Sequence, residues 1–399
     1  MKRRDVAVKK PPRGFLAAGT GVRFLSSVFA ILVGLAIGFL ILLFSNPGQA
    51  VSGFMVILAG GFNNGMTSIG NMLYAATPII LTGLSVGFAF KTGLFNIGAS
   101  GQFIVGAFCA LYASVRFTFL PSGLHWPVAV LAGVLGGALW ALLPGLLKAF
   151  LNVNEVIATI MMNYTGMYLV NLLIMKFLYN SLKNQSMDPI AVSPKWGLDR
   201  LFPGSSVNAG ILIAVAAAVV IHLVLNKTVF GYELKACGFN RDAALYAGID
   251  AKRGIVLSMV IAGALAGLGG ALLYLSGTGK SIEVVDVLAP EGFNGIPVAL
   301  LGLSHPLGVV LSGLFISHLT QGGFYAQAYD YKPEIIDIIT AVIIYFSAFA
   351  LIVKLILERI TTRRSQERRT READVAAEDA ARRVTPIPSA DSGKEGEHE

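Results

Sequence analysis

The chain has 399 residues, 55% of them hydrophobic and 14% charged, with a mean hydropathy of +0.69. Soluble domains carry about 25% charged residues. Here apolar runs of about 20 residues, enough to cross the roughly 30 Å core of a bilayer as helix, recur as far as Lys354, and this excludes a soluble domain. The net charge of +8 does not mark a nucleic-acid partner, because the basic residues cluster beside the apolar runs.

Residues 1–23 form a basic segment, with Lys2, Arg3, Arg4, Lys9, Lys10, Arg13 and Arg23 against Asp5 alone. The positive-inside rule predicts that this flank is cytoplasmic. No small-residue cleavage site follows the first apolar run, so a retained helix is expected over 24–44, ended by Asn46-Pro47-Gly48. Residues 51–70 are broken by Gly53, Gly60, Gly61, Gly65 and Gly70 and read as a re-entrant or interfacial helix. Spans are then expected at 71–90, 98–116, 127–148 and 155–175, before a polar segment containing Trp196 at 176–208. Further spans are expected at 209–226 and 254–275, a broken pass at 285–303, and spans at 306–320 and 335–357.

These segments predict an all-α polytopic membrane protein with about ten transmembrane passes, one membrane domain over 24–357. An even count puts both termini on the cytoplasmic side. Arg359, Arg363, Arg364, Arg368, Arg369 and Arg371 after the last span agree, and so do Lys227, Lys235, Arg241, Lys252 and Arg253 in the 226–253 loop. Parity places 176–208 outside. The cytoplasmic tail, 358–399, turns acidic and aperiodic after about 372 and is expected to be largely disordered.

Chemistry is sparse. Cys109 and Cys237 do not have disulfide or metal spacing, and no metal site is expected. His125, His222, His305 and His318 fall at or near segment ends, where interfacial packing accounts for them. GTGKS at 277–281 lacks the glycine of a phosphate loop at position 274, which is Tyr274, and it comes after an apolar helix rather than a strand. Glu155 follows LNVN and is either a coupling carboxylate or, more simply, an anion in a first helical turn capped by Asn152 or Asn154. Glu334 and Asp337, after Pro333, have the same simple reading.

Two segments are more specific: FKTGLFNIGASGQF at 90–103 and EGFNGIPVALLG at 291–302. Each places Phe-Asn beside small residues, and Pro297 interrupts a helical ladder. Broken helices near the bilayer midplane commonly bind solute in transporters. Asn96 and Asn294 are therefore candidate amides for a small polar substrate, and Phe95 and Phe293 candidate stacking rings. The alternative is that the amides and glycines tighten helix packing. Halves at 71–175 and 254–357 start from opposite sides, so the parity predicts an inverted repeat.

The stretch GYELKACGFNRDAALYAGIDAKRG, 231–254, lies between two spans. A short helix from Tyr232 is expected to end at Gly238, with Asn240 capping the next helix, Gly248 closing it and Asp250 capping the span after it. Ala243, Ala244 and Ala247 give this second helix a small face suited to a groove on another protein, with Arg241, Asp242 and Asp250 setting orientation. The alternative is an ordinary interfacial loop.

GYELKACGFNRDAALYAGID, 231–250, resembles the ATPase-coupling loop of permeases in the branched-chain amino acid and sugar group of ABC importers. It is closest to the nucleoside branch, which works with receptors of the basic membrane protein type. GLSVGFAFKTGLFNIGASGQF at 83–103, LNVNEVIATIMMNYTG at 151–166 and EGFNGIPVALLGLSHPLG at 291–308 extend the resemblance over 25–357. It implies a bacterial cell-membrane permease subunit with no ATPase site of its own. ATP and Mg2+ are then used by a partner cytoplasmic ABC ATPase. A second, related permease and an extracellular or periplasmic receptor lipoprotein complete the assembly. The implied substrate is a nucleoside such as guanosine, with ribose or another simple sugar, or a branched-chain amino acid, as alternatives. A secondary carrier would belong to a different class.

Overall fold

The computed structural model describes residues 19–348 together with Arg359 and Thr370. The basic segment before residue 19, the end of the last expected span and nearly all of the tail lie outside the described residues. Helix α1 covers Gly19–Ser45 and stops where Asn46-Pro47-Gly48 begins. Helix α2, Ala50–Ala59, is followed by a 3-10 turn at Gly60–Phe62. At about 1.5 Å per residue, ten residues are too short to cross a bilayer, as the glycine-broken sequence suggests. The next helix begins earlier than expected: α3 is Gly65–Lys91.

Helices α4 (Ala99–Arg116), α5 (Ser122–Leu151) and α6 (Glu155–Phe177) come next. A two-stranded antiparallel hairpin, β1 (Tyr179–Asn180) and β2 (Gln185–Ser186), leads through the single turn of α7 (Leu198–Leu201) to α8 (Gly210–Lys227). Two short helices, α9 (Val229–Phe239) and α10 (Arg241–Tyr246), precede α11 (Ala251–Tyr274). Helices α12 (Pro290–Leu301), α13 (Pro306–Ala326) and α14 (Pro333–Ala348) complete the described chain. Residues 27–350 form one unit, within which all the packing of the bundle lies.

Among the described residues six helices are long and apolar enough to span a bilayer: α3, α5, α6, α8, α11 and α13. These six coincide with six of the ten expected passes. Helix α4 is buried along almost its whole length, so it carries Ser100, Gln102 and Ser114 where a lipid-facing helix would be apolar. Helix α12 has only 12 residues, and α14 is described over 16. The expected break at Pro297 is also displaced. Pro297 lies inside a continuous α12, and the irregular chain lies before it, at 276–289.

Helices α3 and α11 are the most buried spans, whereas α5 and α8 leave most of their apolar surface open. The tightest packing joins α4, α5 and α11. A Cβ at Gly106 would fall 2.4 Å from the Cα of Gly267, and one at Gly137 would fall 2.3 Å from the carbonyl oxygen of Gly263. These backbones touch with no side chain between them, the close approach that small residues permit in membrane helices. A second cluster gathers Leu42, Ile57, Leu319, Tyr331 and Ile339, linking α1 and α2 to α13 and α14. His318 closes the end of α2: its Nδ1 accepts the Gly61 N–H at 3.0 Å, and its Nε2 donates to the Leu58 carbonyl at 2.9 Å.

The LNVN motif is a helix–helix corner. Asn152 ends α5 in the left-handed region with φ of 51°, and Asn154 Oδ1 accepts the N–H groups of Val156 and Ile157. Glu155 pairs with Lys148 at 2.9 Å across the corner, so the helix-start reading holds for this carboxylate.

Candidate functional site

The 231–250 stretch folds largely through its own side chains. Thr228 Oγ1 accepts the Gly231 N–H and opens α9, while Leu234 anchors that helix in the core. Asn240 Oδ1 accepts the Ala243 N–H at 3.0 Å, and Asp250 Oδ1 accepts the Arg253 N–H at 3.1 Å. Gly248, at φ of 81°, supplies the left-handed turn between them. Asn240, Gly248 and Asp250 therefore shape the element. Gly238 lies within α9, one residue before its end, rather than terminating the helix.

Ala243 and Ala247 are exposed, but Ala244 is buried, at 3% exposure, on the side of α10 that packs against α9 and α11. The expected three-alanine face thus splits, and Ala244 is not available to a partner groove. The open surface is aromatic instead: Phe239 is 90% exposed and Tyr246 96%, with Tyr232 and Leu245 also open. Arg241 and Asp242 stand beside them without an ion pair among the described residues. Large exposed apolar side chains rimmed by charge mark a contact surface. The residues were readable in sequence, but their orientation depended on the phase of α10 against its neighbours. Burial first, and then Glu233, raise the pKa of the Cys237 thiol; Arg241 pulls the other way and Asp250 adds to the rise, so the thiol stays protonated at neutral pH.

The first Phe-Asn segment is a turn between α3 and α4. Asn96 is fully buried and its amide is saturated. Its Oδ1 accepts the Gly98 N–H and a Gln102 N–H, both at 3.1 Å, and its Nδ2 donates to Gln102 Oε1 at 2.9 Å. From α6, Asn163 accepts the Gly101 N–H at 2.8 Å and donates to the Ile97 carbonyl at 3.0 Å. Its second Nδ2 hydrogen points to Ser85 Oγ at 3.4 Å, so every polar atom of the Asn96 side chain is engaged within the protein, the arrangement of the packing alternative. Phe95 is half-buried and stacks on Phe90, with centroids 5.0 Å apart.

The second segment begins α12. Its glycine face is pressed onto α3 and α4: a Cβ at Gly292 would lie 2.2 Å from Ser100 Cα, and one at Gly295 would lie 2.5 Å from the Thr82 carbonyl carbon. Ser100 Oγ donates to the Ala289 carbonyl at 2.8 Å, and Thr82 Oγ1 to the Glu291 carbonyl at 3.0 Å. Phe293 and Asn294 are half-buried on the remaining surface, and the Asn294 side chain makes no hydrogen bond among the described residues. The two segments thus meet through Ser100 and Gly292, with Asn294 the amide left open.

At the hairpin end, opposite α9 and α10, a cavity of about 380 Å³ is lined in part by Gln185, Tyr274, Lys280, Glu283 and Glu291. Lys280 pairs with Glu291 at 2.5 Å. GTGKS is thus a loop after α11 whose lysine is engaged by a carboxylate. The loop is stitched to the hairpin by Ser186 N–H donating to the Ile282 carbonyl at 2.8 Å and Ser281 Oγ donating to Asp188 at 2.9 Å. Among the described residues no group of three or more His, Cys, Asp or Glu side chains is placed to hold a metal ion.

The family profile described as branched-chain amino acid transport system / permease component matches residues 68–348. The guanosine ABC transporter permease protein NupP of Bacillus subtilis is 38% identical over 84% of this chain and 95% of its own length. The nucleoside ABC transporter permease protein NupB of Lactococcus lactis is 35% identical over 86% of this chain and 96% of its own. The glucose ABC transporter permease protein TsgB13 of Haloferax volcanii is 32% identical over 86% and 91%. No solved structure matches the chain.

Proposed function

The chain belongs to the branched-chain amino acid transport permease family, and from that premise we propose that it is the membrane permease subunit of an ATP-driven importer of nucleosides, guanosine among them. The observation that carries this reading is the similarity to guanosine and nucleoside permeases, sustained across most of this chain and nearly all of theirs. In this reading a partner ATPase uses ATP and Mg2+, docking on the aromatic surface of α9 and α10. A second, related permease completes the pathway, and a receptor delivers substrate at the hairpin end. The chain makes about ten passes as an inverted repeat, with both termini and α9–α10 in the cytoplasm. Phe293 and the open amide of Asn294 face the solute, while Phe95 supports the adjoining turn. A simple sugar is the second reading, favoured by the similarity to a glucose permease.

The test is uptake of labelled guanosine by cells carrying the assembled complex, with unlabelled nucleosides, ribose, glucose and leucine as competitors. Competition by nucleosides alone is expected; competition by a sugar alone rejects the nucleoside reading. In a variant lacking Cys109 and Cys237, a membrane-impermeant maleimide is expected to reach the cysteine of Trp196→Cys and not that of Arg241→Cys. Labelling of the second from outside reverses the orientation.

A further inference from the structure

Helix α9 touches the bundle at a point where no side chain intervenes. A Cβ at Gly238 would lie 2.8 Å from the backbone nitrogen of Gly93 and 2.8 Å from the carbonyl carbon of Thr92. From the other side, a Cβ at Gly93 would lie 2.7 Å from Gly238 Cα. Gly93 has φ of 76°, so its position favours glycine on conformational grounds as well. Gly238 is helical, and no such constraint explains its lack of a side chain. The close approach itself does.

The backbone met by Gly238 is firmly held. Thr92 Oγ1 donates to the Ala89 carbonyl at 2.8 Å, and Thr92 also hydrogen-bonds Ser258 of α11. The Leu94 N–H donates to the same Ala89 carbonyl at 2.9 Å. Three residues beyond Gly93 stands Asn96, locked to Gln102. Two residues before Gln102, Ser100 bears on Gly292 at the start of α12. Side chains absorb displacement by changing rotamer, whereas touching backbones cannot. Close-packed interiors transmit strain for this reason.

We propose that the Gly93–Gly238 contact is the joint that passes movement of the α9–α10 element to the 92–102 turn, and through Ser100 on Gly292 to α12, which carries Phe293 and Asn294. Gly93 and Gly238 are positioning residues in this role, which rests on the permease reading above. It differs from partner docking in the atoms it uses: Gly238, although exposed beside Phe239, meets Gly93 and Thr92 backbone to backbone.

The experiment uses the full complex in liposomes and measures four quantities together: ATPase recovered with the permease, basal ATP hydrolysis, receptor-stimulated hydrolysis, and labelled guanosine imported per ATP hydrolysed. Gly238→Ala is the informative variant, since alanine suits a helix and only the approach to the 91–93 backbone is obstructed. Import per ATP is expected to fall by about fivefold or more, the lower range of coupling between sites, with ATPase recovery and basal hydrolysis retained. Gly93→Ala should give the same uncoupling from the opposite side. Gly254→Ala, whose new Cβ would meet Leu234 at an ordinary 3.5 Å, should behave as the unaltered complex. Unchanged import per ATP in Gly238→Ala overturns the joint. Parallel loss of complex recovery and import in both Gly238→Ala and Gly93→Ala also overturns it, by confining the glycine pair to assembly. Absence of guanosine import by the unaltered complex, with hydrolysis intact, instead rejects the nucleoside reading.

Discussion

Asn96 and Asn294 each follow a phenylalanine and each lie near close-packed glycines, but their environments differ. Around Asn96 the chain turns back on itself, bringing Gln102 and the Gly98 N–H to the amide. Around Asn294 the chain is helical, and Gly292 and Gly295 take the packed face, leaving the amide on the remaining surface. A dipeptide does not carry a role by itself; the backbone around it decides whether its polar atoms are spent internally or left for a ligand.

The sharpest test of this contrast is Asn96→Leu. It strands the Gln102 amide and the Gly98 N–H in a buried site, at about 1–3 kcal/mol for each unsatisfied group. We expect loss of folded permease, read as a large drop in complex recovered from membranes and in its Tm. Near-normal recovery would break the contrast. Asn294→Leu keeps the bulk and strands no partner within the described chain. We expect normal recovery and basal ATP hydrolysis, with guanosine uptake impaired by about tenfold for each 1.4 kcal/mol of solute binding free energy removed. Unchanged uptake kinetics would show that an open amide is not thereby a used one. The smallest effect is expected on the exposed surface of α10. Tyr246→Ala removes one exposed ring from α10, and we expect a fewfold loss of ATPase recovery with Tm unchanged, since Tyr246 supports nothing in the permease itself. Ala244→Glu makes the complementary case: placing a charge in a buried position should lower Tm as well as recovery.

How much of this could be read in advance depends on the range of the interactions involved. Asn154, Asn240 and Asp250 cap the helices they precede because a capping side chain reaches only two or three residues along the chain. The positions of most long helices were legible for the same reason, as runs of apolar residues. The bracing of the 96–102 turn by Asn163 was not, because it comes from 62 residues away, and the Asn96–Gln102 pairing depends on how the chain turns between them. Nor was the polarity of α4 interpretable before its neighbours were known, since a helix enclosed by protein can carry serine and glutamine at positions that lipid would penalise. Ala244 was misjudged by rotation: residues adjacent in sequence point about 100° apart around a helix, so three nearby alanines need not share an exposure.

The glycine crossings among α4, α5 and α11 limit where motion can occur. With Gly106 against Gly267 and Gly137 against Gly263, sliding one helix by a single turn, about 5.4 Å, would drive the side chains flanking each glycine into a crossing that has no room for a methyl group. Such an interlock resists sliding of α4, α5 and α11 past one another, so a displacement delivered to the start of α4 is shared by all three helices.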